Sequence, residues 1–275
     1  MSDVTIVVAT RDRGPELRRS LGEHDAPVIV VDNASADDTA EAALAAGARV
    51  VRSPRNLGAA ARNLGVRAAD TRYVAFADDD SWWAPGSLGK AVALMDGHPR
   101  TALLAARVLV GPEEAVDPVS DLMARAPLGS PADLPGPSIL GFLACSIIVR
   151  REAFLAVGGF SEVLHFGGEE ELLALDLAAA GLGLAYVPEL IVHHHPSVHG
   201  RDPAGRRRLE VRNRLLTAWL RRPLPALGRI ALTSMGTPHG RRGLADAVRT
   251  LPVVARARRP VPHAVEAARA SLAAY

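Results

Sequence analysis

The chain has 275 residues, 48% apolar and 4% aromatic, a composition and length that bury a sizeable core and exclude general disorder. Cys145 is the only cysteine, which excludes an intrachain disulfide and a multi-cysteine metal centre. The net charge of +2 is unevenly divided: residues 201–275 hold 16 Lys and Arg against 4 Asp and Glu, whereas residues 1–200 hold 16 against 26.

Met1-Ser2-Asp3 runs straight into Val4 to Ala9, which reads as a strand and not as a signal peptide. Pro15 to Leu21 reads as a helix, Val28 to Val31 as a strand, and Ala36 to Ala46 as a helix stopped by Gly47. Arg49 to Arg52 reads as a short strand and Ala59 to Ala69 as a helix. Tyr73 to Ala77 is then a buried strand that stops at Asp78-Asp79-Asp80. Such alternation implies an α/β fold, a mostly parallel sheet with helices on both faces and ligands beyond the carboxyl ends of the strands. Thr10-Arg11, Asp32-Asn33, Asn56 and the three aspartates all follow strand ends, so they are expected at one rim.

From Gly111 to Pro137 the composition turns to Pro, Gly and Asp and reads as a long irregular loop. The longest apolar stretch, Ile139 to Val149, is too short to span a bilayer. Ser146 to Val149 reads as a strand, Arg151 to Val157 as a short helix, and Glu169 to Ala180 as a helix with three acids in its first turn. Leu184 to Pro188 and Ile191-Val192 are strand-like and deliver His193-His194-His195. Beyond Arg201 the chain reads as helices such as Leu209 to Leu220, interrupted by Pro223, Pro225, Pro252, Pro260 and Pro262. The expected organisation is one α/β domain over residues 1–200 and a basic helical extension over 201–275, in a cytoplasmic protein.

Three adjacent carboxylates at a strand end repel one another unless a cation or several donors compensate. A hard divalent cation suits them and also binds diphosphate from its open side; the alternative is turn acids that cap a helix starting near Pro85. Asp32, at another strand end, is placed to accept from a ribose or a pyrimidine N–H. Asn56-Leu57-Gly58 puts a glycine where backbone must approach something, and Arg62, on the helix that follows, is placed to reach a phosphate. Glu169 and Glu170 are candidate general bases, whereas Glu171 reads as ordinary N-terminal helix charge. Side chains alternate along a strand, so either His194 faces the site alone or His193 and His195 do.

With these residues assembled, the chain resembles the family 2 glycosyltransferases of the GT-A fold. The resemblance runs from Val4 to about His195. It rests on Val7 to Arg11, Val31 to Ser35, Arg55 to Gly58 with Arg62-Asn63, Phe76 to Asp80 with Pro85-Gly86, Val149 to Phe154 with Gly158-Gly159-Phe160, and Tyr186 to Glu189 with His194. It implies an inverting transfer from a UDP-, dTDP- or GDP-linked sugar to a hydroxyl of a glycan, lipid-linked or small-molecule acceptor. Envelope glycan, polysaccharide or secondary-metabolite glycosylation is the expected setting. The implied nucleotide-sugar residues are Thr10, Arg11, Asp32, Asn56, Gly58, Arg62, Asp78 and Asp79. Asp78 and Asp80 of the Asp-X-Asp element, with His194, are the implied ligands of Mn²⁺ or Mg²⁺. The family's Glu-Asp pair, counted back from Gly181, falls on Glu169 and Glu170, so a glutamate replaces the usual aspartate. Leu172 and Asp176 also depart from the family's pattern.

Two other readings compete. A sugar-1-phosphate nucleotidyltransferase would show a glycine-rich loop and a lysine after the first strand, but Lys90 is the only lysine. The other is a nucleotide-sugar binder that has lost catalysis, motivated by the altered base motif. The basic extension holds only Trp219 and Tyr275 as aromatics, too few for stacking on nucleic acid, so an anionic membrane surface or a phosphate-bearing acceptor suits it better.

Overall fold

A computed structural model describes residues 3–196 and 203–273. The amino-terminal part alternates β1 (Val4–Thr10), α1 (Gly14–Ser20), β2 (Val28–Asp32), α2 (Thr39–Ala45), β3 (Arg49–Arg52), α3 (Arg62–Ala68) and β4 (Tyr73–Ala77). Next come β5 (Ser81–Trp83), α4 (Ser87–Gly97), β6 (Thr101–Val110), β7 (Ala115–Val116), α5 (Pro118–Ala124), β8 (Ile147–Arg150) and α6 (Arg151–Ala156). The chain ends in α7 (Glu169–Ala179), β9 (Gly183–His194), α8 (Pro203–Arg221), α9 (Leu224–Ser234), α10 (Pro238–Val254) and α11 (His263–Ala273).

The strands form one sheet in the order β3-β2-β1-β4-β8-β6-β9-β5, with β7 on β6. Because β8 is antiparallel to both β4 and β6, the strands β1, β2, β3, β4, β6 and β9 all point the same way. Register then fixes what meets at their carboxyl ends. Thr10 lies opposite Asp32, Val8 opposite Ala77, and Val110 opposite His194, so the polar residues after each strand share one rim.

Alternating side chains feed a core on each face, with Val7, Val74 and Phe76 on one side and Ile6, Val8, Ala75 and Ala77 on the other. Phe76 packs against Phe154 and Phe160 with ring centroids 5.5 and 5.6 Å away. Trp83 is fully buried and its indole N–H donates to the Phe76 carbonyl at 3.0 Å, which ties β5 to β4. Losing such a side chain costs about 3–5 kcal/mol. The turn that carries Asp78 to Asp80 is therefore clamped at both ends.

Sequence periodicity gave no strand over Thr101–Val110, yet β6 is central to the sheet. It is buried on both faces and so lacks the alternation that marks a half-exposed strand. The expected irregular loop from Gly111 to Pro137 contains β7 and α5, the latter capped by Asp117 with Pro118 in its first turn. Pro252 does not interrupt the carboxyl-terminal helices but sits inside the last turn of α10. Leu184–Pro188 and Ile191–Val192 are one strand, with an irregularity opposite Ala106 and Arg107.

Helices α8 to α10 build a core with Leu164 and Leu172 of the preceding part. Asn213 of α8 is fully buried, and its side-chain amide donates to the carbonyls of Leu164, Phe166 and Gly167 at 2.8, 2.9 and 2.6 Å. Arg222 holds Glu266 bidentately, and Arg269 of α11 bonds Glu171 of α7. Among the described residues no helix is long and apolar enough to cross a membrane.

Candidate active site

A cavity of about 790 Å³ opens over the carboxyl rim of the sheet, lined by Thr10, Arg11, Asn56, Gly58, Arg62 and Asp78 to Asp80, with His194 at its far side. Three acids meet there, and protein groups compensate them. Thr10 Oγ1 donates to Asp79 at 2.6 Å, Arg13 Nε donates to the other oxygen of Asp79 at 3.3 Å, and Arg62 bonds Asp78. Asp80 is flanked by Arg13 at 3.5 Å and by His194 Nε2 at 3.3 Å. Burial pushes the Asp79 carboxyl up to about 6; the Thr10 hydrogen bond opposes this, and Asp78 and Asp80 reinforce it.

Pairing of β5 with β9 sets Ser81 opposite His194, and the His195 N–H donates to the Asp80 carbonyl at 2.8 Å. The strand alternation resolves the three histidines. His194 faces Asp80, whereas His193 stacks on Trp82 with centroids 5.6 Å apart and His195 meets the same indole edge-on at 4.8 Å. Among the described residues no group of three His, Cys, Asp or Glu side chains converges for a metal ion, because Asp78 turns to Arg62. The donor set still fits a hard divalent cation as a pair. One carboxylate and one imidazole leave the remaining positions to water and diphosphate, which is how Mg²⁺-type sites are commonly completed.

Arg62, expected to reach a phosphate, is 7% exposed and sits 5.8 Å over the Phe160 ring. Burial works against its charge, but Asp78, Glu169 and Glu170 outweigh that and hold the guanidinium further toward protonation. Breaking a buried pair leaves an uncompensated charge. Arg62→Met is therefore expected to destabilise the fold by about 2–4 kcal/mol, the lower end reflecting partial exposure of Asp78; urea unfolding checks it.

Asp32 is buried and its Oδ1 accepts the Ser35 N–H at 2.9 Å, so in this geometry it shapes the turn and lies outside the cavity lining. Its neighbour Asn33 has the cradling role. Asn33 donates to Asn56 Oδ1 at 3.0 Å and to the Gly58 carbonyl at 3.3 Å, and accepts from Leu57 N–H at 2.8 Å. Gly58 has φ +60°, and a Cβ there would lie 2.0 Å from the His165 carbonyl oxygen, so only glycine allows the close approach.

Glu169 and Glu170 open α7 after Gly168, whose φ of 86° turns the chain. Glu169 is 3% exposed and its Oε2 has no hydrogen-bond partner. Burial raises its pKa. Glu170 is half-buried, and burial followed by the nearby Glu169 pushes its carboxyl up to about 7. It does not line the polar cavity but a second one, beyond Gly168.

Several lining residues had no sequence expectation. Arg13 follows Thr10-Arg11 in the same turn, and its basic charge three positions beyond a strand end was the available signal. Arg206, Leu209 and Glu210 of α8 close the cavity from the carboxyl-terminal side, and no motif marks them.

A mostly unidirectional sheet with acids after its central strand and an imidazole at the end of β9 is the architecture of GT-A glycosyltransferases. The mannosyltransferase PcManGT of Pyrobaculum calidifontis, solved with GDP-mannose and Mn²⁺, superposes with a TM-score of 0.61 at 21% identity, over 99% of this chain and 81% of that one. GalNAc-T7, solved with UDP, GalNAc and Mn²⁺, gives 0.63 at 13% identity, over 92% of this chain and 56% of that one. The model of the family described as "Glycosyl transferase family 2" matches residues 5–158, more than half of the chain. The pre-mycofactocin glycosyltransferase of Mycobacterium tuberculosis is 35% identical over 281 residues, 94% of this chain and 58% of that protein. The same organism's N-acetylglucosaminyl-diphospho-decaprenol L-rhamnosyltransferase is 30% identical, over 74% of this chain and 80% of that protein.

The chain thus belongs to glycosyl transferase family 2. It spans a little over half the length of the first of these relatives.

Proposed function

We propose that the protein transfers a sugar, with inversion, from a nucleoside-diphosphate sugar to an acceptor hydroxyl. The observation that carries this reading is the pairing of Asp80 with His194 at the rim of a cavity walled by Thr10, Arg11, Asn56 and Gly58. Its volume suits a nucleotide-sized ligand. Asp80 and His194 would hold Mn²⁺ or Mg²⁺, which when bound offsets the charge of a departing diphosphate. Asp78 and Asp79 stand beside the donor. Arg62 keeps Asp78 in place, and Thr10 with Arg13 does so for Asp79. Arg11, partly exposed at the mouth, adds positive charge toward the phosphates. Glu170 accepts the proton of the acceptor hydroxyl as its oxygen attacks the anomeric carbon. Glu169 serves less well, since its carboxylate is almost closed off.

Incubation with UDP-, dTDP- and GDP-sugars and Mn²⁺ should release the nucleoside diphosphate from one of them, read by a coupled assay. Release of pyrophosphate, or tight donor binding with no turnover under any acceptor, overturns the proposal.

The extension also exposes both cationic and apolar side chains, which suits an anionic membrane. Leu224, Leu232 and Arg229 are exposed on α9, and Arg242, Val248 and Val253 on α10, a mixture of cationic and apolar groups. Binding to vesicles containing phosphatidylglycerol is expected at low salt and is lost at high salt. Equal sedimentation of an Arg242→Glu, Val253→Asp double variant would remove this reading.

A further inference from the structure

The cavity beyond Gly168, about 520 Å³ in volume, differs in chemistry from the one over the acids. Its walls are Leu122 and Met123 of α5, Ile139, Leu140 and Phe142 of the stretch before β8, and Leu272 of α11. Charge enters at one side only, through Glu170, Glu171 and Arg269. Arg269 is bonded to Glu171, so no cation among the described lining residues is left to receive an anion. The 167–170 turn borders both chambers, with Gly167 lining the polar one and Gly168 and Glu170 the apolar one.

We infer that this chamber receives the acceptor, and that the acceptor is a neutral molecule with a compact apolar or aromatic body and a hydroxyl directed at Glu170. The inference rests on the transferase reading and names the substrate class for it. A volume in the ~300–1,000 Å³ range of small-molecule sites suits such a body. Apolar walls reward its burial by roughly 25 cal/mol per Å². A phosphate- or carboxylate-bearing acceptor would meet the Glu170 and Glu171 carboxylates without a free counter-ion and lose its hydration. A bare oligosaccharide would leave most of its hydroxyls facing leucine, isoleucine and phenylalanine. In the transfer, the acceptor oxygen forms its bond to the anomeric carbon as its proton passes to Glu170. The bond from that carbon to the diphosphate oxygen breaks, and its electron pair leaves with the nucleoside diphosphate.

The test uses the full chain and the donor identified by turnover. A panel of neutral phenols and cyclic alcohols, led by 2-(4-hydroxyphenyl)ethanol, is compared with 4-hydroxyphenylacetate and with a short-chain prenyl-diphospho-sugar. Neutral members should be glycosylated with kcat/KM at least about tenfold above the anionic ones. Leu122 is 57% exposed, so Leu122→Asp can be made with little risk to the core, whereas Leu272 is partly buried and packs against it, so Leu272→Ala is used there with a circular dichroism check of the fold. Each should raise KM for the neutral acceptor about tenfold or more while leaving donor KM unchanged. Preference for the prenyl-diphospho-sugar, turnover of neither class, or variants with unaltered acceptor KM overturns the inference. Donor binding and slow donor hydrolysis in water, measured without any acceptor, report on the transferase reading separately.

Discussion

Glu170→Gln is expected to slow sugar transfer by about 10²–10⁴-fold, the range for loss of a general base, with donor affinity held within about twofold. The variant keeps the size of the side chain and its place in the first turn of α7 while removing its capacity to accept a proton. Steady-state transfer and calorimetric donor titration read the two quantities. If Glu169→Gln is the damaging change and Glu170→Gln is not, the base lies one residue earlier. The wild-type rate should climb as pH rises through about 7, where the half-buried carboxyl beside Glu169 gives up its proton. Stability should move the other way. Between the ordinary glutamate value and about 7 the folded chain keeps a proton that the unfolded chain has released, so stability falls with rising pH across that window. In Glu170→Gln that part of the slope should vanish.

Asp80→Ala is expected to abolish the Mn²⁺-dependent part of nucleotide binding. The substitution removes the carboxylate that His194 and Arg13 face, while the backbone hydrogen bond from His195 to the Asp80 carbonyl stays. The turn should therefore keep its shape, which a circular dichroism spectrum verifies. Titration of UDP or GDP with and without Mn²⁺ reads the effect. Unchanged metal-dependent affinity would dispose of the two-donor site. Asp78→Asn should do less to metal dependence and more to stability, since its partner is the buried Arg62.

Much of the amino-terminal half was legible because each strand there is bounded by turn residues and ends in a polar side chain at one rim. Strand β6 was not, since burial on both faces erases period-two alternation. The gathering of Thr10, Asp78 to Asp80 and His194 followed from parallel strand order once that order was assumed. How the acids are compensated did not follow. Pairing Arg62 with Asp78 and Arg13 with Asp79 depends on side chains 16 and 66 positions apart in sequence, which no local pattern reports. Asp32 shows a different ambiguity. A carboxylate at a strand end can face a ligand or its own turn, and here the Ser35 N–H lies within reach.

Asn213 ties the carboxyl-terminal quarter to the stretch that leads into α7. Its amide grips the carbonyls of Leu164, Phe166 and Gly167, upstream of the proposed base Glu170, so that loop is held by a helix 46 to 49 residues further along the chain. Deleting the last quarter would unmoor that loop as well as strip away its arginines. Truncated forms are therefore expected to lose the proposed transfer even toward freely dissolved acceptors, and the proposed membrane binding is tested by changing surface charge in an intact molecule.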